Sequence, residues 1–366
     1  MNTVVYKGSD CVTKHLPEID LGGKCIIVTG KTSAVKSGAF AEIKSVLETR
    51  GTEYTVYNGI IENPTFEVCY EAGKLAYEFG AEFVIAVGGG SVIDASKAAA
   101  AIALNPDLNE ETLLATGSVT KALPIIAIPL TAGTGSEVNP FSVVTVGEKK
   151  KSFASAAVIP KFAFLEPKYL KTLNREYTIS TAIDAFCHCY ESYLSPKSTK
   201  DSEKEALFGG KILWKILTTN DFQPKEDDAA GLSSEQRLEL LEAATAGGRA
   251  IMTTGTGFPH PLGYGLSLKY KIPHGFACGA FTGKYTEYNL KTELGKQKIN
   301  DFAEYIGATP ELIAEVIPAL SDVNLALSEE EISDFVKKVS GAKNYNNSPA
   351  VIGDNEASAI FSELFL

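Results

Sequence analysis

Asp184 and His188 stand four residues apart in AIDAFCHCYES, and His260 and His274 stand fourteen apart in HPLGYGLSLKYKIPH. These are three of only four histidines in 366 residues. On a helix, positions i and i+4 share a face with Cβ atoms about 5 to 6 Å apart, so a carboxylate and an imidazole there can grip one divalent ion. Two further imidazoles complete a set of one oxygen and three nitrogens, which suits Zn2+ or Fe2+ better than Ca2+ or Mg2+. The fourth histidine, His15, lies in a polar stretch with no partner pattern and is expected at the surface.

Small residues carry a second kind of chemistry. Gly88, Gly89, Gly90 and Ser91 follow an apolar run and open a helical pattern. Glycines there let backbone N–H groups approach a phosphate, and the helix N-terminus adds donors and a positive dipole end. The order is not G-x-G-x-x-G, so the ordinary dinucleotide fingerprint is absent. Alone, such a loop is more often a tight connection. A second small-residue loop, PLTAGTGSEVNPF from Pro129 to Phe141, supplies the hydroxyls of Thr131, Thr134 and Ser136, with Gly133 and Gly135 allowing close backbone approach. Two neighbouring strand ends would then converge on one polyanion.

Both features need elements to hold them. KCIIVTG (Lys24 to Gly30) reads as a buried strand and Val35 to Arg50 as one helix. Thr52 to Asn58 alternates like a strand, and a helix runs from near Pro64 to near Gly80. FVIAVGGG is a third strand, SVIDASKAAAAIAL a third helix, and Leu123 to Leu130 a fourth strand. This β-α alternation predicts a mainly parallel sheet flanked by helices, with ligands at the carboxyl ends of its strands. After Tyr177 the sequence turns to long helical periodicities. It therefore divides into an α/β domain over 1–177 and an all-α domain over 178–366. The acidic stretch KEDDAAGLSSEQ reads as a solvated linker between helices.

Composition limits the function classes. Two domains are expected because 366 residues exceed a single core of roughly 250 to 300 residues. A net charge of −11 disfavours nucleic acid and anionic membrane surfaces as partners. No apolar run approaches the roughly 20 residues of a membrane span, and the N-terminus lacks signal-peptide order, so a cytoplasmic location is expected. Six scattered cysteines read as reduced thiols without a structural disulfide.

The motifs GGGSVIDASKAAA, PLTAGTGSEVNPFSVV, AIDAFCHCYESYLS and HPLGY…IPHG, in this order and spacing, resemble the iron-containing (group III) alcohol dehydrogenase family. The resemblance spans nearly the whole chain. It implies a dinucleotide-binding α/β domain, a helical metal-binding domain, a cofactor in the cleft between them, and a homodimer. Its metal ligands fall on Asp184, His188, His260 and His274. Cys187 and Cys189 flank His188 but point about 100° away on a helix and are expected to pack elsewhere. Cys278, four residues after His274, can approach the metal face but is not expected to coordinate. Many relatives carry a second histidine four residues after the third ligand, where it can help move protons. This chain has Tyr264 there. The proton would pass through Tyr264, water or the cofactor ribose, or Tyr264 would simply wall the pocket.

The cofactor contacts implied by the resemblance are Gly30, Lys31 and Thr32 after the first long strand, Gly88 to Ser91, Asp94, Thr131, Thr134, Ser136 and Lys150, with Lys151 as the neighbouring option to Lys150. Asp94 and Lys97 read equally as the exposed polar face of their helix. NAD-using relatives tend to place an acidic residue after the first long strand, where this chain has Gly30, Lys31, Thr32 and Ser33. A cation and two hydroxyls favour NADP(H) over NAD(H). Phe141 would wall the pocket for short aliphatic substrates, or belong to the core.

The implied reaction is reversible hydride transfer between a short-chain primary alcohol or aldehyde and NADP(H), with the substrate oxygen on an open position of Fe2+ or Zn2+. Rival readings are a dehydroquinate-synthase-like lyase, a polyol-type member of the same superfold, and a noncatalytic dinucleotide or metal sensor.

Overall fold

The computed structural model describes residues 3–225 and 228–366. Glu226 and Asp227, within the acidic stretch expected as a linker, lie outside the described residues. The chain forms two compact units, Met1–Arg175 with Phe222–Thr245, and Glu176–Asp221 with Ala246–Leu366. No change of composition announces the return of Phe222–Thr245 to the first unit.

The first unit contains strands β1 (Val4–Lys7), β2 (Lys24–Gly30), β3 (Glu53–Ile60), β4 (Phe83–Gly88), β5 (Ile125–Pro129), β6 (Phe141–Val146), β7 (Lys149–Ala154) and β8 (Phe162–Leu165). Six of them form one sheet in the order β1-β8-β5-β4-β2-β3, every pair parallel. Strand periodicity explains the core. Ile26, Val28, Val84, Ala86, Ile125 and Ala127 feed one apolar cluster, while Cys25, Ile27, Phe83, Ile85, Ile126 and Ile128 feed another. Successive side chains point to opposite faces, so each central strand must be apolar throughout. The carboxyl ends of β2, β4 and β5 are neighbours, and these are the ends that carry Gly30, Gly88 and the Thr131 loop.

The expected α/β class with a mainly parallel sheet holds, with differences in detail. The single helix expected over Val35 to Arg50 is two, Ser33–Lys36 and Ala39–Arg50, because Gly38 takes a left-handed φ of 81° between them. The short strands β1 and β8 fell below a readable pattern. Lys149 to Lys151 start β7, which pairs antiparallel with β6. His15 lies at the surface as expected, with 40% of its side chain exposed, and stacks on Tyr6 with ring centroids 4.6 Å apart.

The second unit is helical. Its central helix, Arg175–Leu194, is buried at almost every position from Thr178 onward. Helices Lys200–Thr219, Pro259–Tyr270, His274–Gly279, Thr282–Leu290 and Glu293–Ile306 are among the others in this unit. No described helix is long and apolar enough to cross a membrane.

Candidate functional site

Asp184 and His188 sit one turn apart on the central helix, 3% and 5% exposed. His260 opens the Pro259–Tyr270 helix, whose first residue is a proline with no N–H to satisfy. His274 opens the short His274–Gly279 helix. Gly275 allows that helix to lie directly on the central one, since a Cβ there would fall 1.7 Å from the Ser180 carbonyl oxygen.

These elements bring four side chains to one point. Asp184 Oδ1 lies 3.7 Å from His188 Nε2, 3.6 Å from His260 Nε2 and 3.8 Å from His274 Nε2. Such separations are too long for hydrogen bonds. They are close to the roughly 3.4 Å edge of a tetrahedron of ligands held about 2.1 Å from one ion. Asp184 Oδ1 and His260 Nε2 are buried with no hydrogen-bond partner, a costly state for a protein that offers nothing else there. One carboxylate oxygen and three imidazole nitrogens aimed inward fit a divalent transition metal.

The charges fit as well. Burial alone would raise the Asp184 carboxyl, but the imidazoles of His188, His260 and His274 hold it well below the usual carboxylate range. Burial would favour neutral His260, yet the carboxylates of Glu191 and Asp184 push it up to about 10. An ion entering this cluster must therefore displace a proton.

Glu191 was not singled out from the sequence. It is 1% exposed and accepts from His260 Nδ1 at 2.8 Å and from the Gly257 backbone N–H at 2.7 Å. A carboxylate behind a histidine fixes the tautomer and turns Nε2 toward the ion. The signal was present, because Asp184, His188 and Glu191 stand at i, i+4 and i+7, one helical face.

Of the cysteines near the site, Cys187 Sγ lies 3.6 Å from Thr282 Oγ1, and Cys189 packs where Gly247 leaves space. All six cysteines are free and buried. Cys278 differs from these two, since its Sγ lies 3.7 Å from both ring nitrogens of His274. Tyr264 is half-buried, its ring centroid 6.0 Å from that of His274.

The first unit brings the two small-residue loops together. A Cβ on Gly90 would meet the Thr134 side chain at 2.3 Å, and one on Gly89 would meet Thr131 at 3.1 Å. Gly89 caps the buried Gly90–Leu104 helix, and Ser91 lies in its first turn. This glycine cradle at the start of a 15-residue helix suits a phosphate. Gly30 ends β2 beside it, followed by exposed Lys31 and Thr32.

Asp94 and Lys97 do not form an exposed face. Lys97 is fully buried and donates to Ser136 Oγ (2.6 Å), Asn139 Oδ1 (3.1 Å) and the Phe141 carbonyl (2.7 Å). Ser136 Oγ in turn donates to Asp94, whose other carboxylate oxygen accepts from the Val143 backbone N–H at 2.9 Å. Asp94 and Ser136 are thus engaged in clasping the second loop to the helix. Burial pushes the Lys97 ammonium down to about 8. Lys150, in β7 opposite Thr145, lends Asp94 a stabilising charge.

Comparison with known proteins covers nearly the whole chain. The sequence profile of iron-containing alcohol dehydrogenases matches residues 2–167, and that of the C-terminal domain of the same family matches residues 178–364. A long-chain primary alcohol dehydrogenase of Thermoanaerobacter ethanolicus is 35% identical over 259 residues, which are 70% of this chain and 63% of that protein. That match spans less than two thirds of the relative's length. A solved iron-containing alcohol dehydrogenase from Thermotoga maritima has a TM-score of 0.91 at 32% identity, covering 100% of this chain and 98% of that one. Sulfoacetaldehyde reductase from Bifidobacterium kashiwanohense, solved in complex with NAD+, has a TM-score of 0.86 at 28% identity, covering 99% of this chain and 96% of that one.

Proposed function

This chain belongs to the iron-containing alcohol dehydrogenase family, and from that premise we propose that it catalyses reversible hydride transfer between short-chain primary alcohols or aldehydes and NADP(H). The observation that carries the reading is Asp184 Oδ1, buried without a hydrogen-bond partner and flanked by three imidazole nitrogens at 3.6 to 3.8 Å. Asp184, His188, His260 and His274 would hold Fe2+, or Zn2+, both of which accept this donor set. When bound, the ion supplies Lewis acidity toward the substrate oxygen and the nicotinamide supplies the hydride.

The chain's own residues do the rest. Glu191 holds His260 with Nε2 facing the other ligands. Gly88, Gly89, Gly90, Ser91, Thr131 and Thr134 form the phosphate cradle, and Lys97 with Asp94 and Ser136 keeps its two halves in register. Lys31 and Thr32 are free of any carboxylate neighbour in the sequence and support recognition of a 2′-phosphate; Lys150 supports contact with the cofactor ribose. Tyr264, one helical turn after His260, carries or borders the proton path. Phe141 supports an apolar wall, which suits alkyl chains better than polyols, whose hydroxyls are costly to bury unpaired. A homodimer in a reducing compartment such as the cytoplasm agrees with the family and with six free thiols.

One relative is solved with NAD+, which favours NAD(H) as the second reading of the cofactor. Anaerobic purification with metal analysis, followed by an aldehyde panel with NADH and NADPH, tests the whole proposal. We expect continuous consumption of NADPH and its loss in an Asp184→Ala, His188→Ala double variant. Wild-type turnover in that variant would refute the metal site, and a kcat/KM favouring NADH would refute the NADP(H) preference. Turnover of a substrate without net reduced-cofactor consumption would move the chain to the lyase reading.

A further inference from the structure

The Ser234–Thr254 helix is joined to the Pro259–Tyr270 helix by Gly255, Thr256, Gly257 and Phe258. This connection carries the Gly257 N–H that donates to Glu191, and it delivers His260 to the ligand cluster. The last carbonyls of a helix have no partner within it. Here partners come from asparagines 88 to 93 residues downstream. Asn347 Nδ2 donates to the Thr254 carbonyl at 2.8 Å and to the Thr256 carbonyl at 3.0 Å. Asn344 Nδ2 donates to the same Thr256 carbonyl at 3.0 Å and to Thr256 Oγ1 at 2.8 Å.

Asn347 also reaches the central helix. Its Oδ1 accepts from Ser195 Oγ at 2.9 Å, and Ser195, one turn after Glu191, donates its N–H to the Glu191 carbonyl at 3.1 Å. With two carbonyls on one side and a hydroxyl on the other, the amide has one orientation that satisfies every partner. The side chain is 2% exposed, so a lost bond would find no water to replace it. The bracket is itself anchored, since the Ala350 N–H donates to Oδ1 of the fully buried Asn289 at 2.9 Å. One amide thus ties the helix bearing Asp184, His188 and Glu191 to the connection that leads into His260. We propose that Asn347, with Asn344 beside it, is a positioning residue for the ligand cluster: it sets where His260 stands relative to Asp184 and Glu191, and through that the affinity for the ion. Ligand distances matter to within about 0.2 Å at such centres, so a small shift of the connection is enough.

The inference rests on the metal reading above, and Zn2+ affinity separates the two. The full-length protein, stripped of metal, is titrated with Zn2+ against a chelator as wild type, Asn347→Ala, Asn344→Ala, His260→Ala and the Asn347→Ala, His260→Ala double variant. Asn347→Ala should bind Zn2+ about tenfold more weakly while staying folded without metal, and Asn344→Ala about threefold more weakly. In the His260→Ala background, Asn347→Ala should change the affinity by less than about twofold, because the residue it places is gone. An equal loss in both backgrounds overturns the assignment of Asn347 alone. So does wild-type Zn2+ affinity in a folded Asn347→Ala protein whose metal-free form merely unfolds at lower denaturant, the mark of a structural role. Failure of the wild type to bind Zn2+ overturns both readings. Where Asn347→Ala does not fold, the half-buried Asn344 decides, and wild-type affinity in Asn344→Ala overturns the proposal.

Discussion

Replacing Glu191 by glutamine keeps the shape of the site and removes one charge behind His260. Glu191 Oε2 accepts from Gly257 at 2.7 Å and from His260 Nδ1 at 2.8 Å, while Oε1 stands 3.0 Å from the same nitrogen. A glutamine oxygen can take the Oε2 position and preserve both short bonds, but its amide group then faces the Nδ1 hydrogen across about the same gap as Oε1 does now. Hydrogen bonds to a charged partner contribute about 1.5 to 3 kcal/mol against about 0.5 to 1.5 for neutral ones. The difference, about 1 to 2 kcal/mol with a donor-donor contact added, corresponds to roughly fivefold to thirtyfold weaker ion binding, which overlaps the range of about tenfold to a hundredfold typical for groups behind metal-bound histidines. Competition with a Zn2+ chelator should register that loss in Glu191→Gln while the metal-free protein stays folded. Glu191→Ala leaves the Gly257 N–H and His260 Nδ1 both unpaired, about 1 to 3 kcal/mol each, and should lower unfolding stability as well. A folded Glu191→Gln protein that holds its ion as tightly as the wild type would refute the argument.

Gly275→Ala places a methyl 1.7 Å from the Ser180 carbonyl oxygen, so denaturant unfolding should show a loss of about 3 kcal/mol or more, together with lost metal content; a change within about 0.5 kcal/mol would count against the close helix approach. Lys97 has a folded pKa near 8 against 10.5 for the free side chain, so between those values the unfolded chain holds a proton that the folded chain has released, and stability rises with pH. Relative to Lys97→Met, the wild type should therefore gain about 2 kcal/mol between about pH 7.5 and 9.5 in urea titrations, and a flat difference would contradict the burial of that ammonium. Lys31→Glu exchanges attraction for repulsion toward a 2′-phosphate, about 1 kcal/mol each way at an exposed site. The ratio of kcat/KM for NADPH over NADH should fall about tenfold or more, and an unchanged ratio would exclude Lys31 from the cofactor site.

Much of the fold was readable because its central strands are buried on both faces. KCIIVTG, FVIAVG and IIAIP have no polar alternation to confuse with a helix, and each ends at glycine or proline. The edges were not readable in the same way. Strands β1 and β8 are four residues long, and β7 begins KKKS, so neither length nor hydrophobicity separates them from loops. Gly38 broke an otherwise continuous helical pattern through a left-handed backbone angle that the apolar spacing does not encode.

The candidate site divides along similar lines. The local sequence determined which residue types were available and where they recur: scarce histidines, an aspartate one turn from one of them, and glycines after two apolar runs. Local spacing reaches only a helical turn or a strand end, and there it was sufficient. Tertiary structure alone decided what met across longer separations. It brought His260 and His274 to Asp184, put Glu191 behind His260, and set Cys278 beside the His274 ring. It also buried Lys97 where an exposed helix face was equally readable. The reason is physical: a lone lysine or cysteine has the same local propensity in either setting, and only packing determines whether water, a carboxylate or a set of ligand atoms becomes its neighbour.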